Sequence, residues 1–97
     1  MITRRVLEGD RVEVTFCVLN LGQSLPVTLV GDFNGWDPVA LELAGNGNGE
    51  LSATLVVPRG RRYEFRYRDS GGRWFNDEAA DDYCETPVGA VNGVLLT

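Results

Sequence analysis

The feature that most constrains the fold of this chain is a period-two alternation of apolar and polar residues, divided by turn sequences. Segment 12–18 has an apolar residue at every second position, and segment 63–67 has an aromatic one at every second position. Side chains two residues apart point to the same face of a strand, so each segment predicts a strand with one buried face. Turn sequences such as Asn34-Gly35 and Asp37-Pro38 separate such segments.

The alternation extends along most of the chain, and no stretch repeats apolar residues with helical spacing over three turns. The expected strands are centred on segments 12–18, 27–30, 41–43, 51–57, 62–68, 73–75 and 92–96, and residues 76–87 are expected to form a long polar loop. This pattern predicts an all-β fold, an immunoglobulin-like antiparallel β-sandwich of about seven strands. We expect one domain at residues 11–97, preceded by an N-terminal lead-in at residues 1–10.

The charge balance excludes some classes of partner. The chain has 9 basic and 14 acidic residues, a net charge of −5, whereas nucleic acids and anionic membranes attract basic surfaces. We therefore expect no nucleic-acid or membrane partner, and a neutral ligand fits the charge. Arg4 and Arg5 are not followed by an apolar stretch, so a secretory signal is not expected and a cytoplasmic location is predicted.

Residues that carry catalysis or bind metals are few. The chain has no histidine, so the commonest general base is missing. Cys17 and Cys84 are far apart and do not form a standard zinc site, so we interpret both as structural or incidental. We interpret the loop carboxylates, Asp32 and Asp77 among them, as solvated turn caps, and expect Asp32 to bond the backbone of Asn34. The prediction is a protein that is not an enzyme and has no cofactor or metal.

A cluster of arginines lies in the fifth predicted strand and in the turn before it. Its members are Arg59, Arg61, Arg62, Arg66 and Arg68. Acidic residues stand close to them in sequence, so we interpret the cluster as a solvated sheet face with cross-strand ion pairs.

Two tryptophans stand directly after turn sequences. Trp36 follows Asn34-Gly35, and Trp74 follows Gly71-Gly72 after one intervening residue. An indole is a large, rigid, flat surface, and such a surface suits the apolar face of a pyranose ring. The alternative is that each indole covers one end of the core, and the sequence leaves both interpretations open.

Beyond these patterns, several runs resemble the signature of carbohydrate-binding module family 48. That family includes the N-terminal domains of isoamylases and glycogen branching enzymes, and the glycogen-binding domain of the AMP-activated kinase β subunit. The similar runs are Val27–Pro38, which contains Gly-Asp-Phe-Asn-Gly-Trp, then Leu55–Gly60, Tyr63–Tyr67, Gly72–Trp74 and Gly89–Val94. Together they extend over nearly the whole chain from about Arg11.

The resemblance implies an immunoglobulin-like sandwich and a set of ligand-binding residues. In glycogen-binding members two tryptophans stack on glucose rings, and Trp36 and Trp74 correspond to them. Val88 corresponds to an aliphatic residue that contacts the sugar, and Asn92 to an asparagine that bonds its hydroxyls. Glu64 stands where the kinase members have a lysine, so a hydrogen-bond acceptor replaces a donor, although it can still bond hydroxyls. Ala90 stands where those members have a threonine, so that hydroxyl is absent.

Two functional hypotheses follow. The first is a non-catalytic module that binds an α-glucan, such as a glycogen-like or starch-like polysaccharide or oligosaccharide. The alternative is a protein-interaction or structural module of the same fold that has lost sugar binding and partners a separate glucan-active enzyme.

Overall fold

The computed structural model describes residues 1–97, and strands dominate it. The nine strands are β1 (Ile2–Leu7), β2 (Arg11–Leu19), β3 (Thr28–Gly31), β4 (Ala44–Gly45), β5 (Glu50–Pro58), β6 (Arg62–Arg68), β7 (Trp74–Phe75), β8 (Asp82–Glu85) and β9 (Val91–Leu96). One short 3-10 helix, Asp32–Asn34, follows β3. No helix in the structure has the length and apolar character needed to cross a membrane.

The strands form two antiparallel sheets. The first has the order β1-β2-β5-β4, and the second has the order β3-β6-β9-β8, with β7 beside β6. All strand pairs are antiparallel; in the second sheet Gly31 of β3 and Gly93 of β9 both lie opposite Phe65 of β6. This arrangement confirms the predicted all-β sandwich. The structure has nine strands where the alternation predicted about seven, because β1 and β8 lie in segments that were not expected to form strands.

The core lies between the two sheets and is made by the inward positions of the alternating segments. Val14 and Phe16 of β2 are fully buried, as are Phe65 and Tyr67 of β6. The rings of Phe16 and Phe65 meet edge to face at 5.3 Å between centroids, a favourable geometry for aromatic pairs. Because these side chains fix which face of β6 points inward, they also fix the residues that the second sheet presents outward.

Three segments differ from the prediction. The lead-in, residues 1–10, contains β1, which pairs with β2 along its length. The strand expected at 41–43 is reduced to one bridge between Glu42 and Thr28, and β4 follows it. The loop expected at 76–87 contains β8, which pairs with β9.

The two strands that were not predicted, β1 and β8, share one physical cause. β1 and β8 lie at sheet edges and expose most of their side chains, as their burial patterns show. An exposed edge strand forms through backbone hydrogen bonds and needs no apolar alternation. The guanidinium of Arg4 in β1 also donates hydrogen bonds to Asp81, just before β8, and to the carbonyl of Leu96 in β9. These polar contacts connect the edge of the first sheet to the second sheet.

Candidate functional site

The outward positions of the second sheet form a continuous polar and aromatic surface, which we call the outer face. Phe65 and Tyr67 of β6 point into the core, so the alternate residues of that strand point outward. Strand pairing places Trp74 opposite Arg68, so both point to the same face. Gly93 of β9 lies opposite Phe65 and shares its inward face, so the neighbouring Asn92 points outward. The outer face contains Glu64, Arg66, Arg68, Trp74 and Asn92.

The loop after β3 fixes Trp36 at one end of the outer face. The side chain of Asn34 accepts a hydrogen bond from the backbone N–H of Gly31 at 3.1 Å and donates one to the carbonyl of Leu29 at 2.9 Å. The backbone N–H of Trp36 donates to the carbonyl of Gly31 at 2.9 Å. Gly35 and Trp36 both have positive φ, 66° and 59°, so a tryptophan is held in a left-handed conformation that side chains rarely adopt.

Gly31 is required where this loop meets β6. A Cβ atom at Gly31 would lie 2.6 Å from the carbonyl oxygen of Glu64, 2.8 Å from Cβ of Phe65 and 2.9 Å from Cζ of Phe33. These distances are too short for any side chain, so only glycine lets β3 approach β6 this closely. The close approach in turn brings the Asp32 side chain to the backbone of Glu64.

A chain of hydrogen bonds links Trp36 to Asn92 across the outer face. The indole Nε1–H of Trp36 donates to Oδ1 of Asp32 at 2.8 Å, and the other oxygen of Asp32 accepts the backbone N–H of Glu64 at 2.7 Å. The amide of Asn92 donates to Oε1 of Glu64 at 3.2 Å. The expectation that Asp32 caps the backbone of Asn34 is therefore wrong: the carboxylate turns toward β6 and fixes the indole instead.

Glu64 carries a negative charge that the fold stabilises. Nη1 of Arg62 donates to Oε2 of Glu64 at 2.9 Å. The hydrogen bond from Arg62, followed by the one from Asn92, lowers the pKa of the Glu64 carboxyl below its ordinary value. Glu64 is therefore an ionised acceptor at neutral pH, with each of its oxygens already bonded to a neighbour.

Trp74 lies at the other end of the outer face and is 37% exposed. The guanidinium carbons of Arg66 and Arg68 lie 5.2 and 5.7 Å from the centroid of its ring, within the range of cation–π attraction. The expected cross-strand ion pairs of the arginine cluster are wrong: Arg62 alone forms an ion pair, with Glu64 on its own strand. Arg66 and Arg68 instead pack on an aromatic ring.

Val88 stands apart from the other predicted site residues. It lies in the Thr86–Ala90 turn between β8 and β9, closed by hydrogen bonds between Thr86 and Ala90, and is 88% exposed. The structure thus joins Trp36, Glu64 and Asn92 through hydrogen bonds and adds Trp74 on the same sheet. It leaves Val88 as a free apolar side chain four residues before Asn92.

Sequence reasoning missed the roles of two residues of the outer face and of Asp32 beside it. Asp32 was interpreted as a local cap, and Arg66 and Arg68 were interpreted as ion-paired. A signal for the arginines was present, because Glu64, Arg66 and Arg68 alternate with the aromatic residues of β6 and must share one face. No comparable signal exists for Asp32, since its contact depends on the close approach at Gly31.

Asp77 and Cys17, which lie away from the outer face, both have structural partners. Asp77 is buried and accepts the hydroxyl of Tyr67 at 2.6 Å and the backbone N–H of Ala79 at 2.7 Å, so its interpretation as solvated is wrong, although it does cap a turn. The thiol of Cys17 donates to Glu50 at 3.4 Å; burial, and then this carboxylate, raise the pKa of the thiol. Both cysteines are free.

The outer face is a surface without an enclosing cleft. The three surface cavities lie elsewhere: one borders Leu43 and Leu51 beside the glycine-rich loop, one lies between Cys17 and Phe75, and a small one lies between Gln23 and Arg73. None is lined by Trp36 or Trp74. A site of this shape suits a ligand that lies along the sheet.

Comparison with known proteins adds no relative. No protein-family model matches the chain, and no curated protein matches its sequence.

Proposed function

We propose that this protein is a non-catalytic module that binds an α-glucan on its outer face. The observation that carries the proposal is the arrangement of the two tryptophans around a hydrogen-bonding centre. Trp36 is joined through Asp32 to Glu64 and Asn92, and Trp74 is exposed on the same sheet. Flat aromatic rings with polar groups between them are suited to an oligosaccharide chain. The resemblance to carbohydrate-binding module family 48 supports the same function.

The dimensions of the face favour an oligosaccharide over a single sugar. Asp32 contacts β6 at Glu64, and Trp74 lies opposite Arg68. Four residues of strand separate these two positions, a distance of about 13 Å. This distance exceeds one pyranose ring, so a ligand that contacts both tryptophans must have several linked rings.

The polar centre supplies both acceptors and donors to sugar hydroxyls. Glu64 is an ionised acceptor, and the amide of Asn92 has one of its two N–H donors directed to Glu64, which leaves its second N–H and its carbonyl oxygen for hydroxyls. A hydroxyl that bridges the two residues would donate to Glu64 and accept from the second N–H of Asn92. Val88 adds apolar contact from the β8–β9 turn.

The backbone at Trp36 also supports a functional role. A non-glycine residue in the left-handed region costs about 1–3 kcal/mol and persists at sites where the surrounding structure imposes it. Asn34 imposes it here, because its two hydrogen bonds to β3 close the loop. The loop therefore holds a half-buried indole in a fixed position, which loses little entropy when a ligand binds.

The proposal is tested by retention on immobilised amylose. Trp36→Ala and Trp74→Ala should each abolish retention, because loss of one stacked ring costs about 1–3 kcal/mol. A weak complex, with a Kd near 1 mM to 1 µM, has only about 4–8 kcal/mol in total. Val56→Ala is the matched control, since Val56 is an exposed apolar residue of the first sheet, and it should bind as the wild type does.

Thermal unfolding of the same variants separates binding from folding. A binding tryptophan loses retention with little change in stability, whereas truncation of a core aromatic costs about 3–5 kcal/mol. If the wild type is not retained and both tryptophan variants unfold, the glucan proposal is rejected. The alternative, an interaction module of the same fold, would then take its place.

A further inference from the structure

Arg66 and Arg68 form a cationic pair beside an exposed indole. Their guanidinium carbons lie 5.2 and 5.7 Å from the centroid of Trp74. Arg66, Arg68 and Trp74, which we call the arginine–tryptophan cluster, therefore place two positive charges next to one ring that a ligand could stack on. Arg68 extends toward the hairpin turn, since a Cβ at Gly72 would lie 3.6 Å from its Nη2.

Neither arginine of the cluster has a carboxylate partner. The ion pairs of the chain involve Arg4, Arg5 and Arg62, and Nε of Arg66 is buried without a hydrogen-bond acceptor. The nearest acids along β6 are already engaged. Glu64 bonds Arg62 and Asn92, and the buried carboxylate of Asp69 accepts the backbone N–H groups of Gly71 and Arg73.

Two unpaired guanidinium groups on a protein of net charge −5 mark a local site for an anion. Guanidinium groups bind phosphate through charge-assisted hydrogen bonds in a planar fork. Two such groups match the charge of a phosphate monoester, which carries −1.5 to −2 at pH 7. A nucleic-acid backbone is disfavoured, because it needs an extended basic surface rather than one pair of arginines.

We propose that the arginine–tryptophan cluster recognises a phosphate group carried by the glucan, so that the preferred ligand is a phosphorylated α-glucan. The inference rests on the proposed function. The ring that bears the phosphate would contact Trp74, and its phosphate oxygens would accept hydrogen bonds from Arg66 and Arg68. Neighbouring neutral rings would extend toward Asn92, Glu64 and Trp36.

The test compares maltoheptaose with maltoheptaose 6-phosphate by titration calorimetry, with inorganic phosphate as a third probe. The wild type should bind the phosphorylated oligosaccharide about tenfold more tightly at low salt, as expected for charge-assisted contacts from two half-buried arginines. This preference should shrink between about 50 and 500 mM salt, because salt screens charges that remain in contact with solvent. Inorganic phosphate alone should bind far more weakly than the phosphorylated oligosaccharide.

Variants assign the preference to the cluster. The double variant Arg66→Gln with Arg68→Gln should lose the preference and bind the phosphorylated and the neutral oligosaccharide with equal affinity. Arg59→Gln is the matched control, since Arg59 lies in the β5–β6 turn and has no ion pair, and it should keep the preference. Thermal unfolding of each variant checks that it is folded.

Each outcome bears on one proposal or both. Equal wild-type affinity for the two oligosaccharides overturns the phosphate inference and leaves the glucan proposal intact. A preference that survives in the double variant overturns the assignment to Arg66 and Arg68. No binding of either oligosaccharide overturns the proposed function and this inference with it. Phosphate that binds as tightly as the phosphorylated oligosaccharide overturns recognition of a phosphoglucan in favour of a simple anion site.

Discussion

At the scale of single residues, the polar contacts that organise this protein connect positions far apart in sequence. Asp32 bonds Trp36 nearby but also the backbone of Glu64 on another strand, and Tyr67 bonds Asp77 in the core. The type and alternation of residues predicted that Tyr67 is buried and that Trp36 lies in a turn. The partners of their polar atoms depend on the register between strands, which no local pattern contains.

The first prediction concerns the buried pair of Tyr67 and Asp77. The hydroxyl of Tyr67 donates to the carboxylate at 2.6 Å, and Tyr67→Phe leaves a buried oxygen without that partner. The free energy of unfolding should fall by about 1–3 kcal/mol, measured by urea denaturation. Tyr63→Phe is the control, because the hydroxyl of Tyr63 has no hydrogen-bond partner in the structure while its ring packs on the core. A loss no larger than that of the control would show that the hydrogen bond contributes nothing.

The second prediction concerns pH and Glu64. Its pKa is lowered in the folded protein, chiefly by the hydrogen bond from Arg62 and then by that from Asn92. The ionised form therefore contributes stability above the ordinary glutamate value of 4.5, and the contribution is lost as the pH falls through the lowered pKa. Glu64→Gln should be less stable than the wild type at pH 7, by less than about 1 kcal/mol for a surface pair.

Urea denaturation across the acid range tests this sign. The stability difference between Glu64→Gln and the wild type should disappear once Glu64 is protonated. If the difference in unfolding free energy is the same at pH 7 and pH 3, the negative charge of Glu64 does not contribute to stability. The glutamine side chain would then destabilise the outer face for another reason.

At the scale of elements, the packing of β3 against β6 determines the site. The alternating residues of β6 predicted which side chains point outward, and this part of the site followed from the sequence. The closeness of the two strands did not, because it depends on the missing side chain of Gly31 and on the loop that Asn34 closes. Edge strands β1 and β8 escaped prediction for a related reason, since backbone pairing holds them without an apolar face.

The third prediction follows from this packing. Gly31→Ala places a methyl group 2.6 Å from the carbonyl oxygen of Glu64, so β3 and β6 must separate. We expect a loss of about 1–3 kcal/mol in the free energy of unfolding and weaker glucan binding, because Asp32 moves away from Glu64. Gly45→Ala is the control, since its Cβ would meet only Leu51, at 3.8 Å. If both variants are equally stable, the close approach is not a constraint.

At the scale of the whole molecule, the sandwich separates the core from the proposed binding site. Its core lies between the sheets, and the proposed site lies on the outer face of one sheet, where side chains can change without loss of the core. The fold class followed from alternation and turn spacing alone. The pair of arginines beside Trp74 could not be predicted from the net charge. The overall charge of −5 does not show that several arginines lie close together on one strand.

The most direct test of glucan binding observes the two indole N–H groups during titration with maltoheptaose. The chain has 2 tryptophans, so a ¹⁵N-labelled sample gives one indole resonance for Trp36 and one for Trp74, each assigned from its phenylalanine variant. We expect both indole resonances and the side-chain amide resonance of Asn92 to shift along a single binding curve. The resonances of residues on the outer side of the first sheet, such as Thr15 and Thr54, should not shift. Saturation of the sample without a shift in either indole resonance, or shifts confined to the first sheet, would contradict this expectation.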